Sequence, residues 1–311
     1  MEKLLKNRIV AYVGALICTL LWGTAFPFIK LGYITFNIPE NDIGGKLLFA
    51  GERFFLAGII VLVFGLIVYK KGMALNKSII LPIGLLGFVQ TFLQYVFSYI
   101  GVGFTTATNT SIITGTTSFI SVILAGILFK SDRLTAPKII GCITGFVGIV
   151  FINIQNLSQL SADSIILLGD LFVFLSAVSG AGGNVITKKL MKNINPTVAT
   201  AYQLTFGGLC LLVLGLILGG KIDLLNLNGT VILLWLSIVS AVSFLLWTAL
   251  LKYHTVSRIT VFTLLIPIFG TMWSGIILGE DILKVEYLFA LIFVSTGILL
   301  VNLNLKRKNN L

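Results

Sequence analysis

The chain has 311 residues, of which 57% are hydrophobic and 11% charged, against about 25% charged residues in an ordinary soluble domain. That composition excludes a typical soluble enzyme and a nucleic-acid-binding domain, and it predicts a membrane protein. The net charge of +11 then originates most simply in cytoplasmic loops enriched in Lys and Arg.

A hydrocarbon core about 30 Å thick takes about 20 helical residues, and the apolar runs predict ten such segments. They lie near 9–31, 46–69, 79–101, 105–129, 136–154, 165–188, 195–219, 229–252, 258–279 and 285–305. Lys3, Lys6 and Arg8 precede the first run as in a secretory signal. The run continues to about Leu31, long enough to span, so a retained first helix is expected. Trp22 falls in its middle, where an interfacial anchor would not be, and Pro27 interrupts its backbone ladder.

The second segment contains FAGERFFLAG, Phe49 to Gly58, in which Glu52 and Arg53 break an apolar run. Neighbouring side chains diverge by about 100° around a helix, so each charge needs its own partner. Lys30 is the expected partner of Glu52, and carbonyls or Asp170 that of Arg53. Glu52 is the coupling candidate for a proton, and Arg53 a structural charge.

Polar residues at three- and four-residue spacing mark one face of several later segments. The third offers Gln90, Gln94 and Ser98, with Tyr95 and Tyr99; the fourth Thr106, Thr110, Thr114, Thr117 and Ser121. The fifth carries a small-residue stripe, Gly141, Gly145 and Gly148, suited to seat another helix of the same chain. The sixth holds Asn184, whose amide, like those of Gln90 and Gln94, needs partners away from water. Trp247 and the interfacial His254 belong to the eighth; Thr263, Pro267, Thr271 and Ser274 share a face of the ninth.

The loops alternate in charge. Lys3, Lys6, Arg8, Lys70, Lys71, Lys77, Lys130, Arg133, Lys138, Lys188, Lys189, Lys192, Lys252, Arg258, Lys306, Arg307 and Lys308 fall on one side of a ten-helix arrangement. Most acids fall on the other, among them Glu40, Asp42, Asp163, Asp223, Glu280, Asp281 and Glu286, which puts both termini in the cytoplasm. An offset of 149 residues superposes Thr114 on Thr263, Gly126 on Gly275, Asp132 on Asp281 and Gly148 on Gly297; an offset of 150 superposes Gly58 on Gly208 and Gly65 on Gly215. Two five-helix units, residues 1–157 and 158–311, follow. Five is odd, so the second unit enters the membrane inverted, as in secondary transporters whose site lies near the midplane.

The segments LLWGTAFPFIK (Leu20 to Lys30), RFFLAG (Arg53 to Gly58) and SYIGVGFTTATNTSIITGT (Ser98 to Thr116), with the glycine-bearing helix from Ile139 to Asn153, resemble the EamA branch of the drug/metabolite transporter superfamily over nearly the whole chain. The resemblance implies ten transmembrane helices in two inverted five-helix repeats, alternating access, and a small-metabolite or drug substrate, often exported. One departure concerns the Glu usual after the fourth helix, where this chain has Ser131 and Asp132, while the second half keeps Glu280 and Asp281.

The expected function is therefore secondary transport of a small metabolite, an amino acid or related solute, across the cytoplasmic membrane by efflux or exchange. The alternative is an organic cation or drug. A membrane-embedded transferase would want carboxylates gathered around a metal and diphosphate, and the acids are scattered. Trp22, Glu52, Gln90, Gln94, Tyr99, Thr114, Thr117, Asn184, Trp247, Thr263 and Pro267 are the candidate pathway residues. No catalytic residue, metal site, cofactor or nucleic acid is expected; the expected partners are solute and lipid, for a monomer or homodimer. Cys18, Cys142 and Cys210 read as buried small hydrophobes.

Overall fold

A computed structural model describes residues 2–39, 41–69, 73–102, 104–105, 107–152, 164–279 and 285–303. The described residues form an all-α bundle. Ten long helices cross it: α1 Arg8–Thr35, α2 Ile43–Tyr69, α3 Lys77–Val102, α4 Ala107–Leu128, α5 Ala136–Ile152, α6 Ser164–Leu190, α7 Pro196–Ile217, α8 Leu227–Tyr253, α9 Val256–Leu278 and α10 Val285–Asn302. Eight are long and apolar enough to cross a bilayer, and the apolar stretches of α4 and α5, Ile112–Leu128 and Ala136–Phe151, are shorter. The division at 157/158 lies outside the described residues, as do Glu40, Thr106, Asp163, Glu280 and Asp281.

Asparagine starts several of these helices, because its side chain reaches an amide that the first turn leaves unpaired. Asn7 Oδ1 accepts from Ile9 N at 2.8 Å before α1, and Asn195 Oδ1 from Thr197 N at 2.8 Å before α7. Asn226 accepts from Gly229 N at 3.3 Å before α8 and donates to Thr35 O at 2.8 Å, which ties the end of α1 to the start of α8.

The packing obeys the inversion. Helix α2 lies along its own counterpart α7, and α5 along its counterpart α10; α1 packs on α8 as α6 packs on α3, and α9 on α1 as α4 on α6. Glycines make the self-paired contacts close. A Cβ on Gly51 would lie 2.5 Å from Leu212 N, and one on Gly215 2.5 Å from Leu48 N, so α2 and α7 touch backbone to backbone. The stripe on α5 does the same: a Cβ on Gly141 would meet Gly297 O of α10 at 2.7 Å. Such approach is how membrane helices gain packing energy where lipid tails offer no hydrophobic drive.

Successive helices run antiparallel, so one end of the bundle gathers the start of α1, the α4–α5 and α8–α9 connections and the end of α10. We term it the N-terminal face.

Candidate transport site

Aromatic rings from four helices form a continuous wall through the middle of the bundle. Trp22 of α1 stands 5.0 Å from Trp247 and 5.5 Å from Phe244 of α8. Phe244 meets Phe54 of α2 at 6.0 Å, Phe54 meets Tyr95 of α3 at 4.3 Å, and Tyr95 meets Tyr99 at 6.3 Å. Trp22 Nε1 is enclosed without a hydrogen-bond partner. Arg53 is only 2% exposed; its guanidinium lies 4.9 Å from the Phe54 ring and its Nε donates to Ser240 Oγ of α8 at 2.8 Å. A buried cation thus stands beside the wall, held by ring and hydroxyl.

Two of the three amides, Gln90 and Gln94, sit in and just after an irregularity in α3, which opens into a π-helix over Gly87–Leu93. A π segment leaves carbonyls looking for donors, and Ser179 Oγ of α6 donates to Val89 O at 2.7 Å. Within that segment Gln90 Oε1 accepts from Thr187 Oγ1 at 3.2 Å. Gln94 lies against Gly180 of α6, 3.0 Å from where a Cβ would be. Asn184 has both ends engaged: Oδ1 accepts from Trp247 Nε1 at 3.0 Å and Nδ2 donates to Ser121 Oγ of α4 at 3.3 Å. Gln90 and Asn184 therefore tie α6 to α3, α4 and α8.

Helices α4 and α9 differ in their surroundings along their length. The first half of α9, Val256–Leu265, packs on α4, whereas its second half, Ile266–Leu278, packs on α1; there Gly23 adjoins Phe269, and Gly270 adjoins Phe26. The change falls at a 3₁₀ stretch, Val261–Leu265, just before Pro267, whose ring removes a helical hydrogen bond. Threonine hydroxyls take up nearby carbonyls, Thr263 donating to Thr260 O at 2.7 Å and Thr271 to Pro267 O at 2.9 Å. On α4, Thr114 is exposed and Thr117 partly buried, although both share a face with fully buried Ser121 and Ala125. Ile123 and Ile127 point the other way, 41% and 70% exposed. The exposure at Thr114 therefore opens into the bundle rather than toward lipid, on the side away from the N-terminal face.

That face is closed by Asp132, 1% exposed. It accepts from Lys138 Nζ at 2.5 Å, from Ser257 N at 2.9 Å and from Ser257 Oγ. The α4–α5 connection is thereby fastened to the start of α9. Nearby, Lys188 Nζ of α6 donates to Leu251 O at 2.8 Å and His254 O at 2.6 Å, a cation on the carbonyl end of α8.

Some expected partners differ. Arg53 is bonded to Ser240, and Asp170 instead receives the Thr105 hydroxyl. Glu52 is half-buried, its Oε2 enclosed without a hydrogen-bond partner, and Lys30 is exposed at the far end of α1. Glu52 lies about 100° from Arg53 and about 160° from Phe54 around α2, so it points away from the ring that α2 gives to the wall. The structure does not bring it to the aromatic wall. His254 is buried at the end of α8, and its Nε2 donates to Leu5 O at 2.8 Å. Sequence reasoning missed Ser240, Phe54 and Phe244 as neighbours of Arg53 and Trp22. It also gave Asp132 no role, although the offset of Asp132 onto Asp281 was a usable signal.

An inverted ten-helix bundle with a polar and aromatic middle is the architecture of a membrane transporter. The model of the EamA-like transporter family matches residues 9–154 and 167–303, and the chain belongs to that family. An uncharacterized transporter of Bacillus subtilis (strain 168) is 26% identical over 282 residues, 85% of this chain and 88% of the relative. A probable amino-acid metabolite efflux pump of Escherichia coli (strain K12) is 26% identical over 299 residues, 92% of each chain. A solved crystal structure superposes with a TM-score of 0.78 over 95% of this chain and 97% of that one, at 16% identity, a likeness of fold alone. The protein is a multi-pass membrane transporter and not an enzyme.

Proposed function

We propose that the protein is a secondary transporter that moves an amino acid or a related carboxylate-bearing metabolite across the cytoplasmic membrane by alternating access, as efflux or exchange. The observation that carries the reading is the pair of donors at the aromatic wall, the enclosed Trp22 Nε1 and the buried Arg53 guanidinium. Donors without enough acceptors suit a solute that brings a carboxylate, and the rings suit its apolar side chain. The name of the Escherichia coli relative agrees with this class. The organic-cation alternative rests on the same rings through their negative faces.

The path then runs past Trp22, Tyr99, Thr114, Thr117, Thr263 and Trp247, with Gln90, Gln94, Asn184 and Pro267 shaping the helices around it. Glu52 is the proposed coupling acid, since a proton is the simplest partner for its enclosed oxygen. The repeats divide near 157/158, and the cation-rich N-terminal face lies in the cytoplasm. Flux of a solute panel into proteoliposomes under an imposed pH gradient tests the reading. Gradient-dependent movement of amino acids supports it; movement of organic cations alone favours the alternative, and movement of no solute refutes both. A full response to the pH gradient in Glu52→Gln would remove that residue from coupling.

A further inference from the structure

On the N-terminal face, the α4–α5 connection, the start of α9 and the end of α10 enclose a groove of about 270 Å³, away from the aromatic wall. Lys130, Arg133, Lys138 and Arg258 line it, with the hydroxyl residues Thr135 and Thr255. The acid beneath it is Asp132, already engaged by Lys138 and Ser257. With Lys138 paired to Asp132, the groove stays cationic through Lys130, Arg133 and Arg258, and an anion among them lowers the electrostatic energy.

The surroundings say what kind of anion. The groove stands where the helices end, the level at which lipid headgroups lie. Val301 and Leu303 form part of its lining. From its edge an apolar surface runs down α5 and α10, where Ile139, Ile140, Ile143 and Leu299 are 45–68% exposed. A phosphate with an apolar tail fits the combination; a free phosphate uses only half of it.

We propose that this groove binds the phosphodiester headgroup of an anionic phospholipid from the adjacent leaflet, with the acyl chains along α5 and α10. Each cation near the headgroup contributes about a fivefold gain in affinity, and basic pockets between membrane helices are suited to such lipids. The groove draws one wall from the first half of the chain and another from the second. A bound headgroup therefore adds to the Asp132–Ser257 fastening and favours closure of this face.

The test uses purified full-length protein in detergent, titrated with phosphatidylglycerol or phosphatidylcholine and followed by native mass spectrometry and thermal unfolding. Phosphatidylglycerol is expected to bind saturably and raise the unfolding temperature, and phosphatidylcholine to do neither. The triple variant Lys130→Gln, Arg133→Gln, Arg258→Gln is expected to bind roughly a hundredfold more weakly. If that triple variant is unstable, Arg133→Gln alone, on the exposed rim, is expected to lose about fivefold. A control triple, Lys3→Gln, Lys189→Gln, Lys192→Gln, removes the same charge elsewhere on this face and is expected to bind as the parent does. Unchanged binding in the groove variants overturns the proposal. So does an equal loss in the control triple, or glycerol phosphate matching the lipid, which would make this a site for soluble anions.

Discussion

Replacing Asp132 by Asn tests whether the fastening at the N-terminal face belongs to one state of a transport cycle. The amide keeps an acceptor for Ser257 but removes the charge that Lys138 approaches at 2.5 Å. Breaking a buried ion pair from one side costs about 3–5 kcal/mol. Here the Lys138 side chain is 15% exposed and also donates to Arg133 O at 3.0 Å, so the loss is set lower, at about 2 kcal/mol. If the opposite-facing state lacks this contact, the ratio of the two states shifts about thirtyfold toward it. Thr114→Cys, in a background with Cys18, Cys142 and Cys210 replaced, reports the outcome through labelling by a membrane-impermeant thiol reagent from the side opposite the N-terminal face. Labelling is expected to fall in Asp132→Asn. A folded variant that labels at the parent rate would refute the reasoning, because the contact would then be equal in both states.

Three further outcomes follow from the packing. Asn184→Ala leaves Trp247 Nε1 and Ser121 Oγ without partners, and a double-mutant cycle with Trp247→Phe is expected to show about 1 kcal/mol of coupling in unfolding measurements; additivity would mean that the bond contributes nothing. Gly51→Ala drives a methyl into the Leu212 backbone and is expected to destabilise the fold by about 1–3 kcal/mol, read as a lower unfolding temperature, whereas Gly84→Ala, facing open space, is tolerated. His254 is held below its ordinary value of 6.5 by burial first and by Arg258, Lys188 and Arg8. Its stabilisation is complete above pH 6.5 and is lost as the pH falls toward the lower folded-state value; in His254→Gln this component of the acid loss should disappear.

The fold was legible because its signals are long and periodic. Ten apolar runs, alternating loop charge and the 149-residue offset each report on about a hundred residues at once, and the glycines at 58, 208 and 215 turned out to lie where α2 meets α7. The stripe Gly141, Gly145 and Gly148 likewise found its partner within the chain, on α10. The centre was less legible. Adjacency in FAGERFFLAG gives Glu52 and Arg53 equal standing, whereas the helix turns them apart: Arg53 bonds Ser240 and lies against the ring of Phe54, while Glu52 has an enclosed Oε2 with no hydrogen-bond partner. Partners 187 residues apart, such as Arg53 and Ser240, are set by how the two halves meet, and no local pattern carries that. The π segment of α3 and the 3₁₀ stretch of α9 escape for the same reason, although Pro267 marked the second.

Uptake of radiolabelled amino acids by counterflow in proteoliposomes, comparing the parent with Arg53→Gln and Trp22→Phe, tests the central claim most directly. The account predicts saturable exchange in the parent and a loss of affinity for the carboxylate-bearing solute in both variants, each of which removes one donor at the aromatic wall. Exchange that keeps its affinity in both folded variants would contradict it.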